Sequence, residues 1–105
     1  MPRWLPRILQ RIHVLTAAGA VRLTYKAERE ALALGLWPED VREVIGGLHA
    51  RDSVGRLVSE TTGEWMYVFK PRLGRQIIYV KLMLREDCVV VSFHEDEGSG
   101  HEENA

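Results

Sequence analysis

The hydrophobic period of this chain changes once, near Arg51, from about 3.6 residues to about 2. A helical half followed by an extended half leaves few architectures open, because each must bury its apolar side against the other. Trp4, Leu5, Ile8, Leu9, Ile12 and Leu15 form a stripe at helical spacing, with Pro6 tolerated in the first turn and Gly19 just past the end. Val21-Arg22-Leu23-Thr24 reads as a brief strand or an extended connection. Thr24 can then cap a second helix that runs to about Leu34 and ends at Gly35. Trp37-Pro38-Glu39-Asp40 opens a third helix, with proline and acids in its first turn and Val41, Val44, Ile45 and Leu48 as its apolar side. Gly46-Gly47 ends that helix or lets a neighbour come close.

Beyond Arg51 the alternation predicts strands at 54–60, 65–70, 76–84 and 88–93. They are joined by Thr61-Thr62-Gly63-Glu64, by the cationic connection Lys70-Pro71-Arg72-Leu73-Gly74-Arg75, and by Arg85-Glu86-Asp87. Links this short imply antiparallel pairing, since a parallel crossover takes roughly a dozen residues. The expected fold class is α+β, with N-terminal helices packed on one face of an antiparallel β-meander. The expected organisation is one domain over residues 1–94 and an acidic tail, disordered, over 95–105. Parity assigns the faces. Ile78, Val80, Leu82 and Leu84 are uniformly apolar and should meet the helices, which turns Ile77, Tyr79, Lys81 and Met83 outward. In the last strand Val89, Val91 and Phe93 form the apolar set expected inside. Ser92 and His94 then join Tyr79 and Lys81 on the open face.

The charge is unevenly spread. The net charge of −1 includes five acids after His94, and residues 1–93 carry 14 basic and 10 acidic side chains. Eleven of the basic residues are arginines, whose planar fork matches phosphate. A polyanionic partner is plausible, the alternative being arginines that only solubilise. No apolar run approaches the roughly 18 residues of a membrane span. Arg3, Arg7 and Arg11 interrupt the N-terminus, so no secretory signal is read. A single cysteine, Cys88, fits a reducing cytoplasm, the expected location, with no membrane partner.

Candidate chemistry follows by residue type. His13, His49, His94 and His101 have no paired spacing, so no metal is expected. Gly46-Gly47 and Gly74 fit no phosphate-binding glycine loop, no serine sits in a G-x-S-x-G elbow, and Cys88 reads as a buried strand residue. What remains is Tyr79 and His94 with cations around them. Metal-free RNA cleavage needs a base for the ribose 2′-OH, an acid for the leaving 5′-oxygen, and positive charge on the phosphorane. Histidine serves as base or acid, tyrosine donates, and Lys or Arg supply fixed charge. The plainer alternative makes Tyr79 a cross-strand aromatic, His94 a strand end, and Lys70, Arg72 and Arg75 loop charges.

The run W-x-x-V-F-K-P-R-L from Trp65 to Leu73, Y-V-K at 79–81 and V-V-V-S-F at 89–93 resembles the MqsR-type toxins of bacterial toxin–antitoxin pairs. The likeness extends upstream through A-G-A-V-R-L-T (18–24), L-G-L (34–36) and V-I-G-G-L (44–48). The resemblance implies a RelE-like α+β fold and an endoribonuclease that cleaves mRNA without metal or cofactor. It also implies neutralisation by a cognate, helix-turn-helix DNA-binding antitoxin. The family's catalytic tyrosine falls on Tyr79 and its lysine after S-F on His94. Its glutamine after the tryptophan falls on Met66, and its lysine early in the first meander strand near Gly55 or Arg56, where Arg56 could substitute. The implied site is therefore Tyr79, His94 and Arg56 for catalysis, with Lys70, Arg72, Arg75 and Lys81 on RNA phosphates. Met66 and Gly55 motivate the alternative of a catalytically drifted homologue that binds nucleic acid or a partner without cleaving. A plain interaction module working through an exposed sheet edge is the third possibility.

Overall fold

The computed structural model describes residues 1–97. Helices α1 (Leu5–Ala17), α2 (Tyr25–Ala33) and α3 (Pro38–Gly46) precede most of the sheet, which is built from β1 (Val21–Leu23), β2 (Ser53–Val58), β3 (Trp65–Phe69), β4 (Arg72–Leu73), β5 (Gln76–Leu84) and β6 (Cys88–Glu95). The strand order is β1-β6-β5-β3-β2, with β4 paired to β5 alone. The fold is α+β, as the change of period implies.

Local chemistry sets the helix ends. The Thr24 hydroxyl accepts from the Ala27 N–H at 3.1 Å and so caps α2. The Asp40 carboxylate accepts from the Trp37 N–H at 2.8 Å at the start of α3. Gly46 lets α3 lie against α1: a Cβ there would sit 2.9 Å from the Thr16 methyl.

The helices cover one face. Leu5 and Ile12 of α1, Ala27 and Ala31 of α2, and Val41 and Ile45 of α3 close over Phe69, Ile78, Val80, Leu82, Val90 and Phe93. Each large side chain buried there contributes roughly 1.5–3 kcal/mol. A second, smaller cluster of Met66, Met83 and Val89, with Val91 against it, lies on the face away from the helices.

The meander β2-β3-β5-β6 is antiparallel as expected, and β1 extends it into a mixed sheet by pairing parallel to β6 (Val21↔Cys88 to Leu23↔Val90). The meander leaves the outer edge of β6 unpaired, and β1 pairs with its first three residues. The start of α2 and its side chains take up more of it: Thr24 N–H donates to the Val90 carbonyl at 3.0 Å and the Glu30 carboxylate accepts from the Phe93 N–H at 2.9 Å. The inward set of β6 differs from the expected one. Register shifts between Lys81 and Leu82, which pair with Ser92 and Val90, so Val91 has no cross-strand partner. This bulge reverses the parity. Cys88 and Val90 face the helices before it and Phe93 faces them after it, while Val89 and Val91 join the outer cluster.

β6 runs through Glu95, one residue past the expected end of the domain, and the Asp96 N–H donates to the Ile77 carbonyl at 2.8 Å. The rest of the acidic tail, from residue 98 on, lies outside the described residues.

Candidate active site

The bulge in β6 decides what faces away from the helices. Beyond it, Tyr79 pairs with His94 and Lys81 with Ser92 across β5 and β6, on the face opposite Ile78, Val80 and Phe93. The Tyr79 and His94 rings stack, with centroids 5.1 Å apart and planes inclined by 12°. His94 Nδ1 lies 2.8 Å from the Glu95 carbonyl oxygen. A carbonyl only accepts, so Nδ1 carries the proton and Nε2 is left to exchange one. Both side chains are half-buried, which holds them in place yet leaves them reachable.

Charges from three elements surround this pair. Lys81 comes from β5 and is half-buried. Lys26 of α2 donates to Ser92 Oγ at 3.0 Å and pairs with Glu30 Oε2 at 3.1 Å. Burial works to raise the Glu30 carboxyl, but the Phe93 N–H, Lys26 and the nearby His94 outweigh it and hold the group below its ordinary range. Glu30 therefore places negative charge beside the imidazole. From the end of β3, Lys70 Nζ reaches Asp96 Oδ2 at 3.3 Å, with the Lys70 side chain 29% exposed and the Asp96 side chain 5%.

Not every expected residue joins them. Arg72 and Arg75 lie on the hairpin between β4 and β5, both exposed, and among the described residues neither makes an ion pair or ring contact with Tyr79 or His94. Arg72 lines a cleft of about 460 Å³ with Glu43, His49, Arg51 and Asp52, beside α3. Arg56 is on the wrong side of the sheet to act with Tyr79. It pairs with Tyr67, which belongs to the helix-side core, and its guanidinium lies 4.8 Å from the Trp4 ring centroid and 3.8 Å from that of Trp65. The cause is strand parity: Gly55, one residue earlier, takes the position across from Val68, at a register shift where its φ is +134°. Met66 is buried in the outer cluster with Met83 and Val89, where its thioether serves packing. Cys88 is fully buried, and burial with the adjacent Asp87 pushes its thiol up to about 12, so it carries no thiolate chemistry.

Sequence reasoning missed Glu30, Lys26 and Asp96. The i,i+4 spacing of Lys26 and Glu30 was visible as a helix pair, but nothing in it indicated that α2 would lie along the edge of β6. Among the described residues no group of three or more His, Cys, Asp or Glu is arranged to hold a metal ion.

With this geometry in hand, the comparisons with known proteins are specific. The family described as motility quorum-sensing regulator, toxin of MqsA, matches residues 7–95. The chain belongs to the MqsR toxin family. It is 33% identical over 88 residues to the mRNA interferase toxin MqsR of Escherichia coli (strain K12), an alignment that covers 83% of this chain and 90% of that protein. The matched span takes in α1 from Arg7 onward, α2, α3, the whole sheet and the Tyr79–His94 pair. No helix among the described residues is long and apolar enough to cross a membrane.

Proposed function

We propose that this member of the MqsR toxin family is the toxin of a bacterial toxin–antitoxin pair and cleaves mRNA as a metal-independent endoribonuclease. The observation that carries the reading is the stacked Tyr79–His94 pair, held on the helix-free face with His94 Nε2 free and lysines on either side. The three helices laid on one face of a mostly antiparallel sheet support the RelE-like assignment.

In the proposed reaction His94 Nε2 takes the proton from a ribose 2′-OH. The O2′ attacks the adjacent phosphorus, and the bond from phosphorus to the 5′-oxygen breaks. Tyr79 delivers a proton from its phenol O–H to the leaving oxygen. The products are a 2′,3′-cyclic phosphate and a 5′-hydroxyl. Lys81 offers positive charge to the phosphorane, and Lys70 does so when a phosphate displaces Asp96. The Glu30 carboxylate interacts electrostatically with His94, so a negative charge lies near the site where the imidazole takes up the proton. Arg72 and Arg75 fit flanking phosphate contacts, without ion pairs among the described residues.

The partner expected is an antitoxin with a helix-turn-helix DNA-binding part, and the place of action the cytoplasm. The test incubates mRNA with the protein in EDTA and maps the ends. New 5′-hydroxyl and cyclic-phosphate ends are expected, and intact RNA would sink the reading. A second reading, a homologue that binds RNA without cutting it, is favoured by Met66, which is buried as packing, and by Gly55, which puts no cation across from Val68. It would give salt-sensitive RNA binding with no product.

A further inference from the structure

The arginine that parity removes from the Tyr79 face is held by a different device. Trp65, Arg56, Trp4 and Tyr67 form a continuous stack from solvent into the core. Arg56 lies 3.8 Å from one tryptophan ring centroid and 4.8 Å from the other, and Trp4 packs on Tyr67 with centroids 5.5 Å apart and planes tilted by 44°. A guanidinium held between two indoles keeps a fixed plane, with the edges of its fork free to donate. Beside it is a cavity of about 440 Å³ lined by Arg3, Trp4, Arg7, Ile8 and Arg56. Three cations thus meet at one place, and none of them pairs with a carboxylate among the described residues. Glu64, next to Trp65 in sequence, is occupied: Arg85 donates to both its oxygens, at 2.7 and 3.0 Å. Trp65 closes the stack 43% exposed, an aromatic ring offered to solvent beside clustered arginines.

We propose that this patch is a second binding surface for single-stranded RNA, separate from the cleavage face. Trp65 would take a base by stacking, and Arg3, Arg7 and Arg56 would take phosphates. Fixed cations next to an exposed indole are the combination that holds single strands with little sequence preference. β2 is an edge strand, so the two surfaces are separated by the width of β3 and β2, about 10 Å, and a turn round the sheet edge. An RNA several nucleotides longer than the cleaved site would touch both. The proposal rests on the RNA-cleaving reading only for the identity of its ligand.

The experiment measures binding of fluorescently labelled single-stranded RNA to the full chain in EDTA, with a long and a short oligonucleotide, over a series of salt concentrations. Wild type is expected to bind the long RNA more tightly. Trp65→Ala should weaken that binding about tenfold. The exposed double variant Arg3→Glu/Arg7→Glu, which disturbs no packing, should remove most of the gain with length. Arg56→Ala should lower the salt slope by about 0.7. Unchanged long-RNA affinity in correctly folded variants overturns the proposal. So does unchanged RNA affinity combined with lost neutralisation by antitoxin, which would assign the patch to a protein partner. Absence of cleavage by wild type would sink the ribonuclease reading while leaving this binding comparison interpretable.

Discussion

The two faces of the sheet use cations in different ways. Around Tyr79 and His94, Lys70 pairs with Asp96 and Lys26 of α2 with Glu30, while Lys81 has no carboxylate partner among the described residues, so most of the positive charge there sits within ion pairs. On the other side, Arg3, Arg7 and Arg56 pair with no described carboxylate, and two tryptophans fix the orientation of Arg56 instead. The first arrangement suits chemistry, where charge must appear as the substrate displaces an internal partner and where a histidine has an acid beside it. The second suits retention, where permanent charge and an aromatic surface hold a chain without changing it.

The comparison breaks most sharply if the catalytic face is disabled alone. His94→Ala or Tyr79→Phe should each lower the cleavage rate at saturating RNA by a factor of about 100 or more, because each removes a proton-transfer group. Arg56→Ala should act mainly on KM, measured with a long substrate. Similar losses of kcat in all three would erase the distinction between the faces.

Deleting Val91 tests the origin of the faces. The deletion takes out the extra residue, so Ser92 follows Val90 in the register and residues 92–95 keep their sides, with Phe93 in the core and His94 beside Tyr79. Denaturant unfolding should show a loss well below the roughly 3–5 kcal/mol that removing a buried Phe from the core costs, and cleavage should persist. A drop of that size together with loss of cleavage would contradict the register.

Asp96→Asn leaves the size of the side chain and removes its charge. Freed of its partner, Lys70 should bind phosphate more strongly, and RNA affinity at low salt should rise by a factor of about 3–10, an effect that shrinks as salt screens it. Unchanged affinity would mean that Lys70 does not meet RNA.

The smallest effect concerns acid. The folded Glu30 carboxyl is held below its ordinary 4.5. Its contribution to stability is therefore complete above that pH and is lost as pH falls through the lower folded value. Glu30→Gln should be less stable than wild type at pH 7, with the gap narrowing in acid. The half-buried Glu64 is held down to about 2, first by the Arg85 hydrogen bonds and then by Thr62. A gap independent of pH would remove Glu30 from the electrostatics of the His94 side.

Much of the fold was legible because periodicity carries it. The stripe of α1, the Thr24 cap and the bounds of β5 could be read from spacing and end residues alone. The pairing of Tyr79 with His94 was also reached, though by a parity that failed one step earlier: Val91 was placed inside with Phe93. Alternation cannot reveal an extra residue when both sides of it are apolar. The parallel placement of β1 was not legible either, since three residues hold no pairing signal and the partner lies more than 60 positions away. Arg56 shows the opposite failure. Its charge matched what the site required, but one residue of register separates the two faces, and the shift at Gly55 fixes which one it takes. Glu30 and Asp96 became visible only when α2 and the end of β6 were brought beside β5.

The most direct test is single-turnover cleavage of a defined mRNA in excess EDTA by wild type and by the Tyr79→Phe/His94→Ala double variant, with RNA binding measured in parallel. Wild type should cut and leave 5′-hydroxyl ends, while the double variant binds RNA and leaves it whole. Cleavage by the double variant at the wild-type rate would contradict the account.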